Sequence, residues 1–129
     1  MNLREHRIWS KLFKAVENHP HRDEVLSLHA CAIVRGGKLL SLEVNMPKRN
    51  SFVRHYRHHD AANLHSECAA VLAVRNKIDL THAKMYVLRL KKQDNTMAMS
   101  KPCPMCQAVI IAYGIKRVYY STSEGYERL

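Results

Sequence analysis

Four side chains in two short motifs could form a hydrolytic metal centre. The first motif contributes His65 and Glu67, and the second contributes Cys103 and Cys106, with His65 and Cys103 separated by 38 positions. One imidazole nitrogen and two thiolates make three zinc ligands, which leaves the fourth tetrahedral position for water, as in catalytic zinc sites. A fourth cysteine would close the site and make it structural. The residue types therefore predict a zinc ion that activates water.

Glu67 stands two residues after His65, where it is close to the metal but poorly placed to ligate it together with that histidine. Its carboxylate is the natural proton shuttle between the metal-bound water and a substrate. Zinc lowers the pKa of bound water from about 15.7 to about 7, so zinc-bound hydroxide forms near neutral pH. We expect this hydroxide to attack an amidine-like carbon, such as C4 of cytosine or C6 of adenine, and to release ammonia.

The two cysteines are three positions apart, so on the first turn of a helix they face the same way. The dipole at a helix N-terminus favours thiolates, and Pro102 and Pro104 suit a first turn that needs no N–H partner. A C-x-x-C pair can also be half of a structural zinc site or a redox-active dithiol. The joint spacing of the two motifs and the flanking prolines favour the catalytic site.

The composition indicates one basic domain. With 129 residues, the chain can bury a core without disulfides, and we expect a single domain over residues 1–129. The net charge of +10 makes nucleic acid the first candidate partner, although it could also steer small phosphorylated substrates. Cys31 and Cys68 are expected to be buried small hydrophobes rather than a disulfide pair. The absence of an apolar leader or a membrane-length run predicts a soluble, intracellular, cytoplasmic protein.

The pattern of apolar residues predicts three helices and four strands. Helices are expected over 2–18, 61–76 and 103–113, and strands over 28–34, 38–44, 84–90 and 116–121. Gly36 and Gly37 signal a hairpin between the first two strands, and 46–60 and 91–101 are expected to be loops. The order α-β-β-α-β-α-β is typical of an α/β layer protein, with both motifs at helix N-termini on one side of a sheet.

The chain resembles the cytidine deaminase superfamily in both motifs. Its His65–Ser66–Glu67 and Ser100–Lys101–Pro102–Cys103–Pro104–Met105–Cys106 match the H-x-E…P-C-x-x-C signature of zinc-dependent nucleobase deaminases. The segment 114–120 is similar to the strand after the family's second zinc helix, so the resemblance covers about residues 25–121. It implies a three-layer α/β/α fold with a mixed sheet of four to five strands. It also implies Zn²⁺ as cofactor, with His65, Cys103 and Cys106 as ligands and Glu67 as proton shuttle.

The resemblance implies three further expectations. Asn45, which ends the second strand, resembles the family asparagine that hydrogen-bonds the substrate sugar. Ser66 replaces the usual Ala or Val, and only its backbone is expected to contact the base. The chain ends eight residues after Ser121, so we expect a minimal C-terminus whose sheet edge a partner subunit could cover.

A basic loop between Asn45 and His65 suggests the substrate class. Residues 48–59 interleave cations with aromatic rings, and Arg54, Tyr56 and Arg57 are expected to contact the substrate. This pattern suits unpaired nucleotides, because charges follow the phosphates and rings stack on the bases. There are two alternatives for this segment. It could be a solvated loop whose aromatic rings fold onto the core, or its histidines could form a second metal site.

Positive charge also flanks the cysteine helix, in Lys91, Lys92 and Lys101. This favours a groove over a pocket for one phosphate. Tyr119 and Tyr120 are adjacent on the last predicted strand, so they must point to opposite faces of the sheet. We also expect a substrate contact from this pair of tyrosines.

Together these features predict a zinc-dependent deaminase that converts cytosine to uracil within single-stranded nucleic acid, with DNA favoured over RNA. A deaminase of free CMP or dCMP is the main alternative, because basic loops can serve a single phosphate equally well. An adenosine deaminase acting on RNA is the third, since the same metal centre serves both bases. A non-catalytic, zinc-containing nucleic-acid-binding protein is disfavoured by Glu67, because a structural site does not need that carboxylate.

Overall fold

Three helices and six strands form the part of the chain that the computed structural model describes, residues 2–48 and 63–129. The helices are α1 (Leu3–Glu17), α2 (Ser66–Val74) and α3 (Pro104–Ala112). The strands are β1 (Leu28–Arg35), β2 (Lys38–Val44), β3 (Lys84–Leu90), β4 (Met97–Ala98), β5 (Arg117–Thr122) and β6 (Gly125–Arg128). The predicted loop residues Arg54, Tyr56 and Arg57 lie outside the described residues.

The strands form one mixed sheet in the order β2-β1-β3-β5-β6, with β4 paired to β3. Strands β3 and β5 are parallel, whereas the other neighbouring pairs are antiparallel. The hairpin between β1 and β2 turns at Gly36 and Gly37, whose φ angles of 59° and 77° lie in the left-handed region that glycine adopts most easily. The carboxyl ends of β3 and β5 therefore meet the start of β1 at one edge of the sheet.

Each face of the sheet carries its own apolar core, as the three-layer prediction requires. One face packs against α1, through buried side chains that include Trp9, Leu12 and Val16. The opposite face packs against α2 and α3. Strand β1 serves both cores by alternation: Ala30 and Ala32 face α1, whereas Cys31 and Ile33 face the other two helices. The predicted α/β/α class is confirmed.

The second helix begins at a later residue than predicted, because residues 64 and 65 are not helical. Residues 64–65 fall within the predicted helix 61–76, but Leu64 forms an antiparallel bridge with Met46, and His65 has an extended backbone with ψ 149°. A residue whose backbone groups are paired with another strand cannot also begin a helix. Helix α2 therefore begins at Ser66 and ends at Val74.

Among the described residues, the sheet has six strands, whereas the resemblance implied four to five. Strand β4 has only two residues, and β6 lies after the last strand that the sequence predicted. Strand β6 is anchored by Tyr126, whose ring stacks on Trp9 at a centroid distance of 4.0 Å. A single aromatic ring leaves no alternating apolar pattern, which is why the sequence did not indicate this strand.

Cys31 and Cys68 are fully buried free thiols, as predicted. The longest helix among the described residues has 15 residues, and none in that part of the chain has the length and hydropathy of a bilayer span.

Candidate active site

The three predicted metal ligands come together at the N-termini of two helices. His65 is the N-cap residue of α2, and Cys103 is the N-cap residue of α3. Cys106 lies one turn into α3, after Pro104 at the first helical position. His65 Nδ1 lies 3.6 Å from Cys103 Sγ and 3.4 Å from Cys106 Sγ, and all three donor atoms lie within 4.8 Å of one another.

These distances fit a tetrahedral zinc ion. Zinc binds sulfur at about 2.3 Å and imidazole nitrogen at about 2.0–2.1 Å, so a tetrahedral angle places the nitrogen and sulfur atoms about 3.6 Å apart. The separations from His65 Nδ1 to the two sulfur atoms are 3.6 and 3.4 Å. One nitrogen and two sulfur donors also leave room for a non-protein ligand. The distances from the nitrogen to both sulfur atoms therefore fit a catalytic zinc ion held by this trio.

The protonation of the trio is also suited to a metal. A hydrogen bond from the Cys106 thiol lowers the pKa of Cys103 to about 3. The Cys103 sulfur in turn raises the pKa of His65 to about 9 through a hydrogen bond. Cys106 has a raised pKa, because its proton is held between Cys103 and Cys68 in a buried place. The lowered pKa of the Cys103 thiol favours its thiolate form, and a metal ion bound by the trio would displace the protons that remain on its ligands.

Glu67 lines the same cleft and is 5% exposed. Burial raises the pKa of its carboxyl group. The neighbouring Ser66 hydroxyl donates a hydrogen bond to Glu67 Oε1 at 2.9 Å. The side chain of Ser66 therefore contacts the predicted proton shuttle, a contact that the sequence analysis did not include. The expected contact of its backbone with the base stays a prediction. The hydroxyl supports the ionised carboxylate, which the Ala or Val expected at this position could not do.

Asn45 is held by three hydrogen bonds that fix the orientation of its amide. Oδ1 accepts from the backbone N–H of His29 at 3.0 Å and lies 2.8 Å from His19 Nε2. Nδ2 donates to the Ser27 carbonyl at 2.7 Å. The backbone N–H of His21 donates to His19 Nδ1 at 3.0 Å, so the ring proton of His19 is on Nε2 and points to Asn45. Asn45 lines the cleft, and within the described residues these bonds use only one of its two amide N–H groups.

His29 is a cleft residue that the sequence analysis missed. It lies on β1, in the same cleft as His65 and Glu67, with Nε2 3.0 Å from Ser27 Oγ. Burial and the positive charge of Arg89 lower the pKa of His29 to about 4, so this ring is neutral near pH 7. No motif marks His29, because its position in the site depends on the pairing of β1 with β3.

The described walls enclose a cleft of about 260 Å³ that contains five of the predicted site residues. These five are Asn45, His65, Ser66, Glu67 and Cys103. Cys106 is fully buried behind them.

The two predicted tyrosines do not line this cleft. Tyr119 packs on the α1 face, where its ring stacks on Tyr86 at 5.2 Å. Tyr120 faces α2 and α3, but it is 6% exposed and donates its hydroxyl to Glu127. They point to opposite faces, as expected, and both are occupied by packing within the protein.

The chain is similar to known proteins in its family signature and in its fold. Residues 5–122 match the family model described as the cytidine and deoxycytidylate deaminase zinc-binding region. No curated protein is significantly similar in sequence. A solved structure of dCMP deaminase from the cyanophage S-TIM5, in complex with dCMP and dUMP, is 18% identical with a TM-score of 0.59, covering 93% of this chain and 82% of the other. The apo form of that deaminase is 19% identical with a TM-score of 0.56, covering 93% and 84%. At these identities the two structures establish a shared fold.

Proposed function

Because the chain belongs to the cytidine and deoxycytidylate deaminase zinc-binding family, we propose that it removes the amine from the cytosine ring of a free nucleotide, CMP or dCMP. The observation that carries this proposal is the buried carboxylate of Glu67 in one small cleft with the metal-binding trio. The reaction adds water at C4, breaks the bond from C4 to the amine, and yields uracil and ammonia.

Glu67 is the residue that moves protons in this mechanism. When bound, zinc supplies Lewis acidity and lowers the pKa of a water in its open position to about 7. The Glu67 carboxylate accepts a proton from the attacking water and delivers protons to the ring nitrogen and the leaving amine. Burial raises the pKa of this carboxyl group. A raised pKa favours proton transfer in both directions, because a shuttle works best when its pKa is near the working pH. The Ser66 hydroxyl keeps one carboxylate oxygen in place.

Asn45 orients the sugar in this proposal. Its amide oxygen is occupied by His19 and by the backbone of His29, so the group that faces the ligand is an N–H donor. A donor at this place suits the lone pair of a sugar oxygen. His19 acts through Asn45 and is a positioning residue, because its Nε2–H donates one of the three hydrogen bonds that fix the orientation of the amide.

Replacing His19 with alanine is expected to raise KM for the nucleotide about fivefold to tenfold with little change in kcat, as the loss of one buried hydrogen bond predicts. His19→Gln keeps an N–H donor and should restore most of the affinity. Both variants are measured in steady-state kinetics alongside thermal unfolding. Equal KM values in wild type and His19→Ala, or a loss confined to kcat, would remove His19 from the positioning of Asn45.

A free nucleotide is preferred to a polymer as substrate because of the likeness in fold to a nucleotide deaminase. The cleft of about 260 Å³ has the size for one nucleoside, whether free or flipped out of a strand, so its volume does not separate the two substrates. The phage enzyme with a similar fold is a dCMP deaminase, seen with dCMP and dUMP bound. Cytosine in single-stranded DNA is the second candidate, favoured by the net charge of +10.

The experiment that tests the proposed function uses the zinc-loaded protein with dCMP, CMP and a single-stranded DNA oligonucleotide in separate reactions. Mass spectrometry reads the change of about 1 Da that accompanies replacement of the amine by oxygen. We expect conversion of the free nucleotides. Conversion of the oligonucleotide alone, with a rate that falls steeply as salt increases, would replace this proposal by the second candidate.

A further inference from the structure

A basic pocket adjoins the cleft and has no role in the chemistry derived above. Its volume is about 510 Å³, and Leu26 and Ser27 form a wall that it shares with the cleft. The far side is lined by three cations, Arg89, Lys91 and Lys92. The two cavities are therefore neighbours across one short segment of chain.

The pairing of β1 with β3 brings Arg89 to this place. Arg89 is the register partner of His29, so both side chains leave the sheet on the face that carries α2 and α3. His29 lines the cleft and Arg89 lines the basic pocket. A group bound at Arg89 is consequently adjacent to a ligand held in the cleft.

The loop between β3 and β4 presents the two lysines and is itself held in place. The backbone N–H of Lys91 donates to the Thr96 carbonyl at 2.9 Å. Arg22 reaches the same loop and donates to the Lys92 carbonyl at 2.7 Å and to Asn95 Oδ1 at 3.1 Å. These contacts use backbone groups and the guanidinium of Arg22, so the ammonium groups of Lys91 and Lys92 remain available.

Positive charge is in excess in this pocket among the described residues, because three cations line it together with one carboxylate, that of Asp94. Among residues 2–48 and 63–129, no carboxylate forms an ion pair with Arg89, Lys91 or Lys92. Asp94 lines the pocket, but its Oδ1 accepts hydrogen bonds from the N–H and the hydroxyl of Thr96. Arg89 Nε is buried without a hydrogen-bond partner in that same part of the chain, and its Nη1 makes one long bond of 3.4 Å to the Met99 carbonyl.

We propose that this pocket, formed by Arg89, Lys91 and Lys92, binds a phosphate group of the substrate while the base occupies the cleft. Arginine and lysine are the residues that bind phosphate oxygens, through charge-assisted hydrogen bonds. The inference rests on the proposed function, because it assumes a cytosine nucleotide in the cleft. The phosphate is either that of a free nucleotide or one that links cytidine to its neighbour in a strand.

The kinetic test compares deoxycytidine, dCMP and the trinucleotide TpdCpT as substrates of the zinc-loaded protein. The variant is the double substitution Lys91→Ala and Lys92→Ala, which removes two exposed or partly exposed side chains and spares the core. The matched control is Lys77→Ala with Lys116→Ala, which removes the same charge beyond the C-terminal end of α2 and before the start of β5.

We expect the double variant to lose at least about tenfold in kcat/KM on dCMP while deoxycytidine turnover changes less than about twofold. The control should leave both values unchanged. A loss on TpdCpT without one on dCMP would identify the linking phosphate as the occupant. An equal loss of kcat/KM on deoxycytidine and dCMP would overturn the proposal that this pocket binds the phosphate. A similar loss in the control variant would also overturn it, because the effect would then come from the overall positive charge of the protein.

A binding measurement separates failure of the pocket from failure of the proposed function. Isothermal titration of the zinc-loaded protein with deoxyuridine, dUMP and inorganic pyrophosphate needs no turnover. The pocket predicts tighter binding of dUMP than of deoxyuridine in wild type, and loss of that difference in the double variant. A protein that is inactive on all three substrates contradicts the proposed function. In that case, pyrophosphate binding that weakens in the double variant supports the pocket, and its absence overturns the pocket.

Discussion

Replacing Glu67 with glutamine is expected to lower kcat for cytosine deamination by about 10²–10⁴-fold, the range that general acid–base catalysis contributes. Glutamine has nearly the same shape and still offers an oxygen to the Ser66 hydroxyl, but it cannot accept a proton from water. The side chain is 5% exposed, so removal of its charge also removes a desolvation cost. The variant should therefore fold at least as stably as wild type.

The measurement is kcat on dCMP, together with zinc content by atomic absorption and thermal unfolding. Glu17→Gln is the matched control, because Glu17 ends α1 and is exposed. We expect it to retain wild-type activity. If Glu67→Gln kept its zinc and its full activity, Glu67 would have no part in the mechanism. If it lost zinc, Glu67 would belong to the metal site instead.

Replacing Cys106 with serine is expected to abolish zinc retention at neutral pH and, with it, deamination. The residue supplies a donor atom 3.4 Å from His65 Nδ1, and it is fully buried, so no nearby solvent ligand can take its place. A serine hydroxyl does not ionise at neutral pH and is a poor zinc ligand compared with a thiolate. Loss of the ion should also lower the melting temperature, because metal bound only by the folded state stabilises it.

Cys68→Ala provides a matched control for that experiment. Cys68 is equally buried, and its Sγ lies 4.0 Å from Cys106 Sγ, but it is outside the metal-binding trio. The control should lose some stability from the small cavity and keep one zinc ion per chain. Full zinc occupancy in Cys106→Ser, measured after dialysis, would exclude Cys106 as a ligand. Zinc loss in Cys68→Ala would add Cys68 to the ligand set.

The sequence predicted the metal centre well because its residues are marked by local signals. Cys103 and Cys106 are related by one helical turn, and both motifs begin helices at the same edge of the sheet. The contacts of Ser66, His19 and His29 were not predicted. They depend on side-chain direction or on strand pairing between distant segments, which residue spacing does not encode.

The substrate was harder to predict than the chemistry. A net charge of +10 attracts a free nucleotide and a polymer alike, so it cannot choose between them. The structure shows two geometric features that charge alone could not reveal: the small volume of the cleft and the pocket of Arg89, Lys91 and Lys92 beside it. Tyr119 is a residue for which the sequence predicted a contact with the substrate, whereas in the structure its ring stacks on Tyr86.

The end of α1 connects the layer behind the sheet to the cleft. Helix α1 packs on the face of the sheet opposite the metal centre, with Trp9 held between Tyr86 and Tyr126. Two residues after this helix, His19 crosses to the cleft side and fixes the amide of Asn45. A small rotation of α1 would therefore move the amide of Asn45, which the proposed function places against the substrate sugar. On that proposal, we expect substitutions in this distant layer to change substrate preference while every residue that touches the substrate stays the same.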